Sequence, residues 1–151
     1  MNHLIGLLSL VGILSTAVVY GTDMFFLTVG GPALRMASPS AVTEVMGFIH
    51  SFGDARMPIW GIVSILANLF VAVFGGSERR GFYITSLAML ILFVVIYNFL
   101  SKPINRLQTE AARTGGKLDD ARQLEASWDR SLWIRTPLLV ASLLTQCLAL
   151  L

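Results

Sequence analysis

Four long runs of apolar side chains divide this sequence and restrict its fold more than any other feature. They cover about 4–27, 57–76, 82–100 and 131–151, close to the roughly 17–25 residues that a helix needs to cross a bilayer. Inside lipid a chain must satisfy its own backbone hydrogen bonds, so such runs fold as helices. The sequence therefore predicts an all-α fold: an integral membrane four-helix bundle that forms a single domain over 1–151.

Two further helical elements are expected between these spans. Apolar residues at helical spacing predict a short amphipathic helix over about 41–52, lying on the membrane surface in the first loop. Pro58 then opens the second span, where its missing N–H costs least. Mixed charges over 101–130 predict a polar helical extension before the fourth helix, broken at 114–116. The Gly-Gly-Pro sequence at 30–32 predicts that the first helix ends or bends there.

Composition and charge narrow the class of protein. A chain that is 55% hydrophobic and 13% charged does not suit a soluble domain of 151 residues, and a net charge of +2 is too small to indicate nucleic-acid binding. The expected partners are the lipid bilayer and a small lipophilic molecule, and self-association into a homo-oligomer stays open.

Basic residues predict the orientation. Nine of the 11 Lys and Arg residues fall on the side of the two long loops: Arg35, Arg56, Lys102, Arg106, Arg113, Lys117, Arg122, Arg130 and Arg135. By the positive-inside rule these loops face the cytoplasm. We therefore expect a protein of the bacterial inner (plasma) membrane.

The stretch 47–58 concentrates the polar chemistry of the first half. It holds His50, one of only two histidines, with Asp54 one helical turn later and Arg56 beside it. At this spacing a carboxylate can orient the imidazole or stabilise its cation. Asp23 lies at the edge of the first apolar run, where a carboxylate needs water, a partner or a ligand. The alternative interpretation is that these groups only meet lipid headgroups.

Three stretches together resemble a known family: FFLTVGGPALR at 25–35, SKPINRL at 101–107 and WDRSLWIRT at 128–136. In this order they are similar to the anthrone oxygenase-like family of small four-helix membrane proteins, also called DUF1772. Ser101 stands where the family has an asparagine, and Leu132 and Trp133 stand where it has Asn-His. If that histidine has a chemical role in relatives, another residue must perform the role here, and His50 is the candidate.

This resemblance implies a membrane oxidoreductase of the monooxygenase type, acting on a lipophilic aromatic or quinone-like substrate at a polar pocket in the bundle mouth. The expected lining is Phe25, Phe26, Trp60, Asn105, Trp128 and Trp133, and the expected catalytic groups are Asp23, His50, Asp54, Arg56 and Arg135. In a cofactor-free version His50 or a carboxylate is the base and an arginine stabilises the anion. In a haem b version His50 is the axial metal ligand. The alternative is a non-catalytic membrane subunit or a protein that binds lipid or quinone.

Overall fold

The computed structural model of the protein describes residues 2–116, 118 and 120–151; Lys117, one of the basic residues counted above, lies outside them. The helices are α1 (Asn2–Phe25), a π-helical turn (Phe26–Gly30), α2 (Gly31–Met36), α3 (Pro39–Phe74), α4 (Ser77–Ile96), a second π-helical turn (Tyr97–Ser101), α5 (Lys102–Thr114) and α6 (Ala121–Leu148). Four continuous helical segments are long and apolar enough to cross a membrane: His3–Met36, Pro39–Phe74, Ser77–Thr114 and Ala121–Leu148. The prediction of an all-helical bundle with four candidate spans is confirmed.

The helices form a ring in which α1 and α4 each pack against both α3 and α6, while α5 lies along α3. Two apolar clusters mark the two ends of this bundle. One, near the termini, consists of Ile5, Val71, Ala72, Tyr83 and Ala149. The other, at the end where α3 begins and α6 enters the bundle, consists of Phe26, Val42, Met46, Trp128 and Leu132.

Between these clusters the interior is polar and the surface is apolar. Thr16 and Ser64 are fully buried and their hydroxyls are 2.6 Å apart, while Gln146 Nε2 donates to Thr16 Oγ1 at 3.0 Å. Leu14 and Leu66, in contrast, expose 65% and 59% of their surface. Helices in lipid associate through small and polar side chains rather than through a water-driven apolar core. The arrangement is therefore that of a bundle surrounded by hydrocarbon.

The amphipathic helix predicted over 41–52 is not a separate element, because it forms the first part of α3. Ser38 caps this helix by accepting from the N–H of Ala41 at 3.3 Å, and Pro39 occupies its first turn. The helix then passes through Pro58 without ending. In an apolar environment a broken helix would leave more backbone groups unpaired than the one N–H that proline lacks, so the helix continues.

The Gly-Gly-Pro sequence at 30–32 does not end the first helix either. The chain widens into a π-helical turn in which the N–H of Gly31 bonds to the carbonyl of Phe26, and α2 follows with Pro32 in its first turn. The expected break of the polar segment is confirmed instead at Gly115, where α5 ends with φ of +63°, a left-handed conformation that favours glycine.

One close approach fixes α5 against α3. A Cβ atom at Gly47 would collide with the backbone of Gln108 and the Cβ of Ala112. Thr109 Oγ1 adds a hydrogen bond of 3.2 Å to the carbonyl of Gly47. The absence of a side chain at residue 47 thus lets the polar extension dock beside His50.

Candidate functional site

A cavity of about 340 Å³ lies in the half of the bundle remote from the termini. Its wall is mostly apolar, with Val19 from α1, Phe26 from the first π-helical turn, Ile65 from α3 and Phe93 from α4 among the lining residues. Asp23, His50, Asp54, Tyr97, Asn105 and Arg135 provide most of its polar groups. A largely apolar cavity with a few convergent polar groups is typical of a site for a small molecule.

Arg135 and Asp23 form a buried ion pair in this wall. Each residue is only 4% exposed, and the pair is bidentate, with Nε to Oδ2 and Nη2 to Oδ1 both at 2.8 Å. The remaining terminal nitrogen, Nη1, donates to the hydroxyl of Ser101. Two parallel charge-assisted bonds fix the plane of the guanidinium and offset the cost of burying both charges.

Aromatic rings surround the same guanidinium. Arg135 Cζ lies 5.4 Å from the ring centre of Trp128, 5.5 Å from that of Tyr97 and 5.9 Å from that of Phe93. Ring faces attract a cation most strongly where water is excluded. The π-helical turn Tyr97–Ser101 supplies both a ring and the hydroxyl that contact Arg135, which agrees with the frequent placement of such turns at functional sites.

Asp54 is the centre of a second network, which joins four helical elements: α3, the second π-helical turn, α5 and α6. Its Oδ1 accepts from the hydroxyl of Tyr97 and from Asn105 Nδ2, the latter at 2.8 Å. Asn105 Oδ1 in turn accepts from the indole N–H of Trp128 at 3.0 Å. Each of these polar groups therefore orients the next, and the carboxylate is held by neutral donors rather than by a cation.

His50 is 4% exposed and its ring centre lies 5.2 Å from that of Trp128. Its Nε2 is buried without a hydrogen-bond partner among the described residues. Asp54 does not orient the imidazole as the spacing suggests, because the carboxylate is bonded to Tyr97 and Asn105 from other helices. The ring stays available for a ligand.

The structure brings most of the predicted site residues together and leaves four of them outside. Seven of them line the cavity: Asp23, Phe26, His50, Asp54, Asn105, Trp128 and Arg135. The other four are absent from its lining and exposed: Phe25, Arg56, Trp60 and Trp133. Arg56 instead lies over the ring of Phe52, with Cζ 5.1 Å from its centre. Arg135 is thus the arginine that a ligand in the cavity can meet.

Sequence reasoning missed two residues that the networks depend on. Tyr97 is not among the predicted site residues, and Ser101 is noted only as a departure from a family pattern, yet Tyr97 contacts Asp54 and Ser101 contacts Arg135. A signal was present in the sequence, because Tyr97, Ser101, Asn105 and Gln108 recur every three or four residues. That polar stripe runs without interruption from the third span into the extension.

No family model, curated protein or solved structure matches this chain. The resemblance to the anthrone oxygenase-like family therefore stays a hypothesis that depends on the three short motifs.

The residues of the cavity do not fit haem b well. Arg135 is already paired with Asp23, which leaves the exposed Lys102 as the one unpaired cation among the described residues of the wall, so a second propionate would be buried without a counter-ion. Within residues 2–116, 118 and 120–151, no three His, Cys, Asp or Glu side chains are grouped to hold a metal ion. We derive no step through a metal or haem.

Proposed function

We propose that the protein is a membrane oxidoreductase that takes a lipophilic aromatic compound, bearing an activated methylene, phenol or quinol group, into this cavity. The observation that carries the proposal is that the His50 imidazole and a guanidinium fixed by Asp23 line the same largely apolar cavity. A cavity of this kind with a few convergent polar groups is typical of a small-molecule site.

The shape of the cavity supports access from the bilayer. Ile62 and Val94 line it and are also 57% and 37% exposed on the outer surface, so the cavity adjoins lipid between α3 and α4. Gly53 and Gly61 lie on the same wall and have open space where a Cβ would be. A flat ring system can slide along this face of α3 without meeting side chains there.

The polar groups suit removal of a proton from such a compound. Because Nε2 of His50 is buried in the protein, Nδ1 is the ring nitrogen that can meet a ligand in the cavity. Arg135 uses three of its five N–H groups on Asp23 and Ser101, which leaves two for a developing oxyanion. The base and the anion-stabilising group are thus separate residues, both in contact with Trp128.

Dioxygen is the co-reactant that the proposal requires. His50 takes one proton from the activated methylene, and the resulting carbanion, stabilised as an enolate, reacts with dioxygen. The methylene carbon loses two hydrogens and gains one oxygen atom as a carbonyl, and the second oxygen atom leaves with both hydrogens as water. The carbon is oxidised and dioxygen is reduced, so no external reductant is needed.

Hydrogen exchange without dioxygen tests the first step in isolation. Anthrone is incubated with purified protein in deuterated buffer under argon, and deuterium at its methylene is followed by mass spectrometry. We expect the wild-type protein to accelerate exchange and His50→Ala to lower that rate by about 10²–10⁴-fold. His3→Ala is the matched control, since His3 is exposed and does not line the cavity. Exchange at the buffer rate with wild-type protein would contradict the proposal.

A non-catalytic role in binding quinone or lipid is the second candidate, and one observation favours it. The charged groups Asp23 and Arg135 already satisfy one another, as expected for a structural pair. Under this function anthrone or a short-chain quinone binds the protein, His50→Ala leaves the affinity nearly unchanged, and neither exchange nor oxidation is accelerated. Gly61→Phe, which fills the open wall, should weaken binding under both functions.

We also propose that the two long loops face the cytoplasm of a bacterial inner membrane. The asymmetry of the basic residues supports this orientation. The site then lies at the cytoplasmic end of the bundle.

A further inference from the structure

Buried polar atoms without partners gather on the protein side of His50. They are His50 Nε2, both amide atoms of Gln108, and Glu125 Oε1. Gln108 is fully buried and Glu125 is 3% exposed. Most buried polar groups in proteins are hydrogen-bonded to protein or ordered water. The Gln108 amide lies within hydrogen-bonding range of His50, so the unpartnered atoms that call for a bridging water are those of Gln108 and Glu125.

Two contacts place these residues next to one another. Gln108 lies beside the His50 ring, because Gly47, one turn before His50, packs on the backbone of Gln108. On the other side, α5 and α6 run antiparallel, with Ser101 against Ser131 and Asn105 against Trp128.

Extended by one helical turn, this register predicts that Gln108 lies level with Glu125. From the cavity toward the surface, the order is therefore the imidazole of His50, the amide of Gln108 and the carboxylate of Glu125.

The far side of Glu125 adjoins water. An open pocket of about 340 Å³ at the surface is lined by Arg35, Arg122, Glu125, Ala126 and Asp129. Arg122 Nη1 bonds to Glu125 Oε2 at 3.1 Å and is anchored to the carbonyls of Leu34 and Ala37, while Arg35 pairs with Asp129 at 2.9 Å. Glu125 thus has one oxygen toward this cation and one, Oε1, turned to the buried side without a partner.

We propose that Glu125, Gln108 and one or two buried water molecules form a proton path between the surface pocket and Nε2 of His50. The amide of Gln108 holds the water, and the Glu125 carboxylate exchanges protons with the aqueous phase. The use of the path in catalysis rests on the proposed function: Nδ1 takes the proton of the substrate, Nε2 releases one to the water, and Glu125 passes it outward. A proton returned to Nε2 along the same path then lets Nδ1 give its proton to the leaving oxygen, which departs as water, and the original tautomer of the imidazole is restored.

Such a path serves a base that lies in a cavity open to lipid. Hydrocarbon cannot accept or deliver a proton. The four charged groups of the cavity wall are held by other side chains: Asp23 and Arg135 by one another, Asp54 by Tyr97 and Asn105, and Lys102 by Asn98. On the protein side of His50, the unpartnered amide atoms of Gln108 and the unpartnered Oε1 of Glu125 mark a route toward the surface pocket.

Nitrogen NMR of the ligand-free protein tests the path without using its catalytic activity. The chain has two histidines, so His3→Gln with ¹⁵N-histidine labelling leaves only the His50 signals. The measured quantity is the exchange rate of the imidazole N–H with water in detergent micelles. We expect Glu125→Gln and Gln108→Leu each to slow this exchange by about tenfold or more. Glu110→Gln is the matched control, since Glu110 is an exposed carboxylate on α5, and it should leave the rate unchanged.

Wild-type exchange rates in both folded variants would overturn the proposal. Glu125→Gln keeps the size of the side chain and an oxygen that can accept from Arg122, so it reports on proton transfer even if Gln108→Leu perturbs packing. Because no substrate is present, this result is independent of the anthrone experiment. If the protein has a path but no oxidoreductase activity, Glu125→Gln and Gln108→Leu would still slow imidazole exchange. If the path is absent, the exchange of the anthrone methylene still tests the role of His50 separately.

Discussion

At the scale of single residues, the ion pair of Arg135 and Asp23 shows how polar chemistry survives inside an apolar bundle. Both side chains are 5% exposed, and the guanidinium is enclosed by Trp128, Tyr97 and Phe93. The interaction of two such charges is strong, but so is the cost of removing them from water. The pair therefore adds little net stability while intact, and losing one member is expensive.

Removing one charge should show this asymmetry. We expect Asp23→Asn to lower the free energy of unfolding by about 3–5 kcal/mol, because it leaves Arg135 buried without its counter-ion. Replacing both, as Asp23→Leu with Arg135→Leu, should restore much of the loss. Unfolding in detergent, followed by circular dichroism, measures both changes.

The surface pair of Arg35 and Asp129 supplies the control. Its side chains are 59% and 20% exposed, so Asp129→Asn should cost only about 0–1 kcal/mol. Equal losses in Asp23→Asn and Asp129→Asn would show that the buried pair is not what holds the site.

At the scale of elements, the contact between α3 and α5 decides where the polar extension lies. It requires glycine at residue 47, where a Cβ would overlap the backbone of Gln108. Gly53 occurs on the same helix with nothing near its missing Cβ. The two glycines look alike in the sequence and differ only in their surroundings.

Alanine at these two positions should therefore change stability in opposite directions. Gly47→Ala should destabilise the fold by about 1–3 kcal/mol through overpacking, and Gly53→Ala should stabilise it by about 0.5–1 kcal/mol through its higher helix propensity. Thermal unfolding of the two variants in the same detergent compares them directly. Stabilisation by both substitutions would mean that α5 is not held against residue 47.

The same elements show what the sequence can and cannot predict. The length of the four apolar runs is enough to predict four candidate spans. The expectation that a helix ends at Gly115 is also confirmed. Pro58 and the Gly-Gly-Pro sequence do not end their helices. Whether a helix continues past such residues depends on the packing and the solvent around it, and a short stretch of sequence does not reveal either. For the same reason His50 could be selected as a site residue, while the partners of Asp54, which come from residues 97 and 105, could not be.

At the scale of the whole molecule, the site lies at one end of the bundle, on the side of the two long connections. Its orientation in the membrane therefore decides which aqueous compartment the surface pocket beside Glu125 meets. The basic residues predict the cytoplasm.

Cysteine labelling tests this orientation. Cys147 is the only cysteine, so Cys147→Ser gives a background for single cysteines at the exposed residues Ser77 and Thr114, which end opposite sides of one span. With a membrane-impermeant maleimide on spheroplasts, we expect Ser77→Cys to react and Thr114→Cys to react only after lysis. The reverse result would place the site outside the cytoplasm.

The two π-helical turns, Phe26–Gly30 and Tyr97–Ser101, carry one further consequence. A turn of this kind holds about one residue more than an α turn, and one residue corresponds to a rotation of about 100° around the helix axis. The number of residues in each π-helical turn therefore sets which face of α2 or of α5 points into the bundle, whatever side chains the turn carries. Exchanging the outward-facing Phe99 for another apolar residue leaves that orientation intact, whereas gaining or losing a single residue there would swing Asn105 and Gln108 away from His50 together.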